Sequence, residues 1–123
     1  MIRILVVDDS EVIRSAVRDL FDELAEVHEL ASAIGLSGMV RRLQPNVVLL
    51  DVNMPAIRGD EAIVMVRAVS PKSAIVLFSD DARAERLAKE RGVAWVSKTA
   101  PQRLVSAVMR AASSKGKGGA HGR

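Results

Sequence analysis

Five short apolar runs, each broken off by a polar or acidic residue and separated from the next by a stretch of helical period, direct this chain toward a layered α/β fold. The runs cover residues 2–7, 27–31, 47–50, 74–78 and 93–96, the second having the weakest pattern. After the first, Ile13, Ala16, Val17, Leu20 and Leu24 recur on one helical face. Leu36, Met39, Val40 and Leu43 repeat the pattern until Pro45 stops it, and Ile63, Val66 and Val69 do so after Gly59-Asp60, where Asp60 is expected to cap the helix. Residues 83–91 have acids before them, bases at their end and Gly92 as a stop. This fourth helix has only Leu87 as a large apolar side chain, which marks it as the expected mobile element. A fifth helix is expected from the capping-box spacing of Thr99 and Gln102 with Pro101 in the first turn, followed by Leu104, Val105, Val108 and Met109.

With 123 residues there is room for one hydrophobic core, expected over residues 1–113. Aromatic residues are only 2% of the chain, so the core must come from aliphatic side chains and sites that stack flat rings are disfavoured. Without cysteine there are no disulfides or thiolate metal sites, which fits a cytoplasmic protein. No apolar run is long enough to cross a bilayer, and the start lacks the pattern of an export signal, so no membrane contact is expected. The net charge of +3 resides in Lys115, Lys117 and Arg123, leaving the rest neutral. Residues 114–123 read as a basic, Gly-rich, disordered tail, and direct DNA binding is not expected from it.

The reactive side chains gather where ligands bind in parallel sheets, beyond the carboxyl ends of the strands. The first run leads into Asp8-Asp9, the third into Asp51, the fourth into Ser79-Asp80-Asp81 and the fifth into Ser97-Lys98. Taken singly, each has a plain explanation: Asp9 or Ser10 as a helix cap, Asp51 and Ser79 as turn residues, Lys98 as a solvated lysine. A single site accounts for all of them together. Three close carboxylates repel one another and call for a cation, and oxygen-only ligands point to a hard ion, best Mg2+. One carboxylate can then act as a nucleophile toward a phosphoryl group whose oxygens meet Ser79 and Lys98, although the chemistry alone does not say which.

Over residues 2–113 the chain resembles the receiver domain of bacterial response regulators. The resemblance rests on Asp8-Asp9, on Asp51 in Asp51-Val52-Asn53-Met54-Pro55, on Gly59, on Ser79 and on Lys98. It implies a flavodoxin-like five-stranded parallel sheet of order 2-1-3-4-5 with helices on both faces. It further implies Asp51 as phosphoacceptor, Asp9, Asp51 and the Asn53 carbonyl as Mg2+ ligands, Asp8 acting through water, and Ser79 and Lys98 binding the phosphoryl group. The phosphodonor would be a histidine kinase or a histidine phosphotransfer protein. Ser79 and the aromatic position on the last strand, here Trp95, would form a switch that alters the face made by the fourth helix, fifth strand and fifth helix. No effector segment is expected after the fifth helix, so output would pass through contact with another protein. The chain would be a signalling domain, promoting only its own phosphorylation and dephosphorylation.

Three positions depart from the family pattern. Asp80 replaces a small residue, which places a negative charge near the expected phosphoryl group, so that Asp80→Ala should increase the phosphorylated fraction. Trp95 is larger than the usual aromatic. Thr99 replaces the proline after the lysine, which puts the family's cis peptide in question. These departures keep open a pseudo-receiver regulated without phosphorylation. A haloacid-dehalogenase-type phosphatase fits less well, because Asn53 stands where that family needs a second acid.

Overall fold

The computed structural model describes residues 1–121, with side chains through Ser114. Its elements are β1 (Ile2–Val7), α1 (Glu11–Leu20), β2 (Ala25–Leu30), α2 (Leu36–Leu43), β3 (Val47–Leu50), α3 (Gly59–Val69), β4 (Ala74–Phe78), α4 (Ala82–Arg91), β5 (Ala94–Val96), a 3-10 turn (Pro101–Arg103) and α5 (Leu104–His121). The strands are all parallel, in the order β2-β1-β3-β4-β5, which is the expected flavodoxin-like sheet. The tail expected over 114–123 lies, beyond Ser114, outside the described side chains. Among the described residues no helix is long and apolar enough to cross a membrane.

The central strands are buried on both faces, and alternate residues serve different helices. Leu5, Val7, Val48, Leu50, Ile75 and Leu77 pack with α2, α3 and α4. Ile4, Val6, Val47, Leu49, Val76 and Phe78 pack with Val17 and Phe21 at α1 and with Leu104 and Val108 of α5. The core is aliphatic, as composition requires, apart from Phe21 and Phe78.

Differences from expectation concentrate at element ends. The second strand starts at Ala25, because α1 stops at Leu20 and fully buried Phe21 turns the chain, its carbonyl accepting from the Leu24 and Ala25 amides. Leu24, expected on the helical face, is exposed in that turn. Asp60 is not the cap of α3. Arg58 occupies that place, and Asp60 lies in the first turn, accepting from the Arg58 guanidinium and the Glu61 amide. The Thr99–Gln102 capping box is also absent: Pro101 opens a 3-10 turn capped by Ala100, and Thr99 pairs with Ser97 instead. For α4 the expected N-terminal acid and C-terminal glycine are present, with Asp81 accepting from the Arg83 amide and Gly92 in the left-handed region (φ 68°). The helix is seated by Ala84 and Ala88, both buried, in addition to Leu87.

At the amino edge Arg3 pairs with Glu26 at 3.0 Å and donates to the Leu43 carbonyl at 2.8 Å, while the connections below β3 and β4 are neutral. The Gln44 side chain donates to the carbonyls of Arg41 and Val69, and its oxygen accepts from Ser70 Oγ. Ser73 donates to the Pro45 carbonyl, so the Ser70 proton is the one shared between Ser73 Oγ at 2.6 Å and Gln44 Oε1 at 3.1 Å. The ends of α2 and α3 are thereby joined below β3 and β4.

At the opposite edge, Gly59 permits the approach of three elements. A Cβ on it would lie 3.0 Å from Leu87 Cδ2 and 3.0 Å from Val52 Cγ1, closer than packed carbons rest. Gly59→Val should therefore push α4 from the β3–α3 loop and destabilise the fold by about 1–3 kcal/mol, read from the urea midpoint. An unchanged midpoint would mean that the loop yields without cost.

Candidate functional site

The register of β1 and β3 creates the site. Val7 pairs with Leu50, so the next residues, Asp8 and Asp51, emerge side by side at the carboxyl edge. The Asp51 amide donates to the Val7 carbonyl at 3.1 Å, and the Asp8 amide to the Leu30 carbonyl at 3.1 Å. Asp8 is 2% exposed and Asp51 6%, so both carboxylates must be compensated within the protein. One oxygen of each rests on a backbone amide, Asp8 Oδ1 on Ser10 (2.9 Å) and Asp51 Oδ1 on Asn53 (3.0 Å). The other oxygens face Lys98 Nζ, at 2.8 Å from Asp8 and 3.3 Å from Asp51.

Lys98 is held in its charged form by these partners. Burial opposes the charge, but the hydrogen bond to Asp8 and the charges of Asp51 and Asp8 outweigh burial and raise the ammonium pKa above its ordinary value. Asp9 is exposed, and the first-helix cap is Ser10, whose Oγ accepts from the Ile13 amide. Asp9 is therefore free to join Asp8 and Asp51, and each of the three offers an oxygen within 4.8 Å of the others. Oxygen donors alone, two of them buried, suit a hard divalent cation such as Mg2+. The structure thus brings Asp8, Asp9, Asp51 and Lys98 together, with exposed Asn53 attached through its amide.

Ser79 is buried after β4, its amide on the Val96 carbonyl (3.1 Å) and its Oγ accepting from the Asp81 amide (3.0 Å). Trp95 packs partly buried against the α2–α3–α4 side of the sheet, and its indole N–H donates to the Ser79 carbonyl at 2.9 Å. The two expected switch residues are therefore in direct contact. Asp80 departs from expectation: its side chain is exposed and turned to Ser97, whose Oγ donates to it at 2.5 Å. Ser97 in turn contacts Thr99 Oγ1 at 2.7 Å, and no cis peptide occurs among the described residues.

Two contributors were only partly legible in the sequence. Arg14 on α1 donates to the Asp8 carbonyl at 2.8 Å while paired with Glu11 and Glu29, thus bracing the acidic turn. Helical spacing placed Arg14 on the same helix but could not show its reach. Asp81 caps α4 and also ties its amide to Ser79, a double role that only the turn geometry reveals.

Residues 4–109 match the family model of the response regulator receiver domain, and the chain belongs to that family. Receiver domains are signalling modules of two-component systems. An uncharacterized response regulatory protein of Yersinia pestis is 31% identical over 114 residues, covering 89% of this chain and 48% of that protein. A protein-glutamate methylesterase/protein-glutamine glutaminase of Nocardioides is 38% identical over 81 residues, covering 63% of this chain and 22% of the relative. The chain therefore spans about half or less of the curated relatives it matches. Among solved structures, chemotaxis protein CheY4 of Vibrio cholerae is 27% identical with a TM-score of 0.77, covering 90% of this chain and 98% of that one.

The Asp81 cap yields a pH dependence. The Arg83 side chain, joined by the Arg83 amide, lowers the Asp81 pKa from 3.8 to about 2 against the opposing effect of burial. A depressed carboxyl contributes stability that is complete above its unfolded value and lost as pH falls through its folded one. Asp81→Ala should cost about 1 kcal/mol at neutral pH, with the difference from wild type shrinking between pH 4 and about 2. Denaturant midpoints at three pH values test this, and a pH-independent difference would deny the carboxylate its part.

Proposed function

We propose that this receiver domain accepts a phosphoryl group on Asp51, supplied by a histidine kinase or a histidine phosphotransfer protein. The supporting observation is the burial of Asp8 and Asp51 side by side on Lys98, with Asp9 within reach. Mg2+ would be held by Asp8, Asp9, Asp51 and the Asn53 carbonyl, and when bound it would neutralise carboxylate and phosphoryl oxygens together. An Asp51 oxygen forms the new P–O bond as the bond from phosphorus to the donor's nitrogen or oxygen breaks, and the donor leaves with that electron pair. The Asn53 amide fixes the rotation of the Asp51 carboxylate so that its other oxygen stays toward Lys98. Lys98 and Ser79 are the groups assigned to the phosphoryl oxygens, Lys98 as a point charge and Ser79 through its hydroxyl. On this reading the chain has no separate enzymatic activity.

Output is assigned to the α4–β5–α5 face. Any movement of Ser79 toward a phosphoryl group pulls on the carbonyl that holds the Trp95 indole. A cleft of about 780 Å³ between α3 and α5, lined by Trp95, Val93, Arg67, Lys72 and Arg110 among others, adjoins the β5–α5 part of that face.

Acetyl phosphate with Mg2+ should add one phosphoryl mass to the wild type and none to Asp51→Asn, as read by intact-protein mass spectrometry. An equal adduct on the variant would remove Asp51 from its role. Because Trp95 is the only tryptophan, its fluorescence reports the coupling. Beryllofluoride with Mg2+ should shift the emission of the wild type and leave Asp51→Asn unchanged. A constant spectrum with binding shown by calorimetry would mean that the indole does not follow Ser79.

A further inference from the structure

We propose that Asp80 is a positioning residue that holds Lys98 over Asp8 and Asp51, taking the place that a rigid proline would have at position 99. Its importance for phosphorylation rests on the reading of Asp51 as phosphoacceptor. Its structural part stands on the contacts alone.

Proton accounting defines the arrangement. Ser97 Oγ has a single proton, which it gives to Asp80 Oδ1 at 2.5 Å. The 2.7 Å contact between Ser97 and Thr99 must then be donated by Thr99, and the Thr99 amide donates to the same Ser97 oxygen at 3.1 Å. The Ala100 amide closes the turn on the Ser97 carbonyl at 3.0 Å. Lys98 lies between Ser97 and Thr99, so its backbone is enclosed in a turn whose anchor is on the loop after β4. Asp80 directly follows Ser79, so one carboxylate ties together the two loops that carry Ser79 and Lys98.

This geometry reverses the sequence-based expectation for Asp80. An exposed carboxylate is screened by water and salt, so its repulsion of a phosphoryl group is weak. As a charge-assisted acceptor, the same group fixes the Ser97 hydroxyl to the loop after β4, beside the backbone link from the Ser79 amide to the Val96 carbonyl. The Lys98 stem has four rotatable bonds, and a loosened backbone beneath it moves the ammonium away from its partners. The positioning role therefore outweighs the charge.

The two roles separate by substitution. Asp80→Asn keeps the acceptor oxygen and removes the charge, whereas Asp80→Ala removes both. Asp80→Ala and Ser97→Ala should slow Asp51 phosphorylation by acetyl phosphate about tenfold. Asp80→Asn should stay near the wild-type rate, and none of the three should change magnesium-free thermal stability in parallel with rate. In the unphosphorylated protein, NMR should show faster exchange of the Thr99 amide and an altered Lys98 side-chain resonance in Asp80→Ala and Ser97→Ala, but not in Asp80→Asn. A rise in phosphorylation rate in both Asp80 variants would establish charge repulsion and overturn the proposal. Unchanged Lys98 and Thr99 signals in Asp80→Ala would overturn it as well. Failure of the wild type to take up phosphate would refute the phosphoacceptor reading, and the NMR result alone would then decide whether Asp80 holds Lys98.

Discussion

Two carboxylates buried next to each other need a cation between them, and the structure depends on where that cation comes from. Asp8 and Asp51 are neighbours because β1 and β3 pair in register, while Lys98 follows the edge strand β5. At ordinary strand spacing β5 lies roughly 14 Å from β1, with β3 and β4 between them. Lys98 nevertheless meets both carboxylates, its Nζ 2.8 Å from Asp8 and 3.3 Å from Asp51, so the extended side chain has to point back across the edge of β4. An unaccompanied carboxylate pair in this burial would cost several kcal/mol, which makes the placement of one loop a condition for the folded edge as a whole.

The parallel sheet was legible in the sequence because it rests on periodicity, whereas its order came from the resemblance to receiver domains. Runs of two-sided apolar residues such as 47–50 and 74–78 have no alternative location in a chain of this size. The acidic cluster was legible for a related reason: once the runs are parallel strands, the residues that follow them share one edge. The ends of elements were harder to read. Leu24 fits the period of α1 as well as Phe21 does, and only the depth of burial selects the phenylalanine. Asp60 and Thr99 have the chemistry of caps, but each found a nearer partner, the Arg58 guanidinium and the Ser97 hydroxyl. The direction of Asp80, toward Ser97, was likewise not visible in its residue type.

The seating of α4 shows how small residues can do what large ones do elsewhere. With Ala84 and Ala88 against the sheet, the helix lies close, and Leu87 reaches over Gly59 to the loop that follows Asp51. The helix most exposed in composition is thereby linked by contact to the loop nearest the site. Asp81 caps it and holds Ser79 Oγ at once, so the start of α4 and the serine form one mechanical unit.

The neutral joint of Gln44, Ser70, Ser73 and Pro45 at the amino edge is built from hydroxyl, amide and carbonyl groups alone. Hydrogen bonds between uncharged groups respond little to salt or acidity, whereas the carboxyl edge is held by ions. That joint and the Asp8–Asp51–Lys98 cluster therefore rest on different forces. The joint below β3 and β4 thus keeps its form as acidity changes, while the contacts of Lys98 with Asp8 and Asp51 last only as long as those groups are charged.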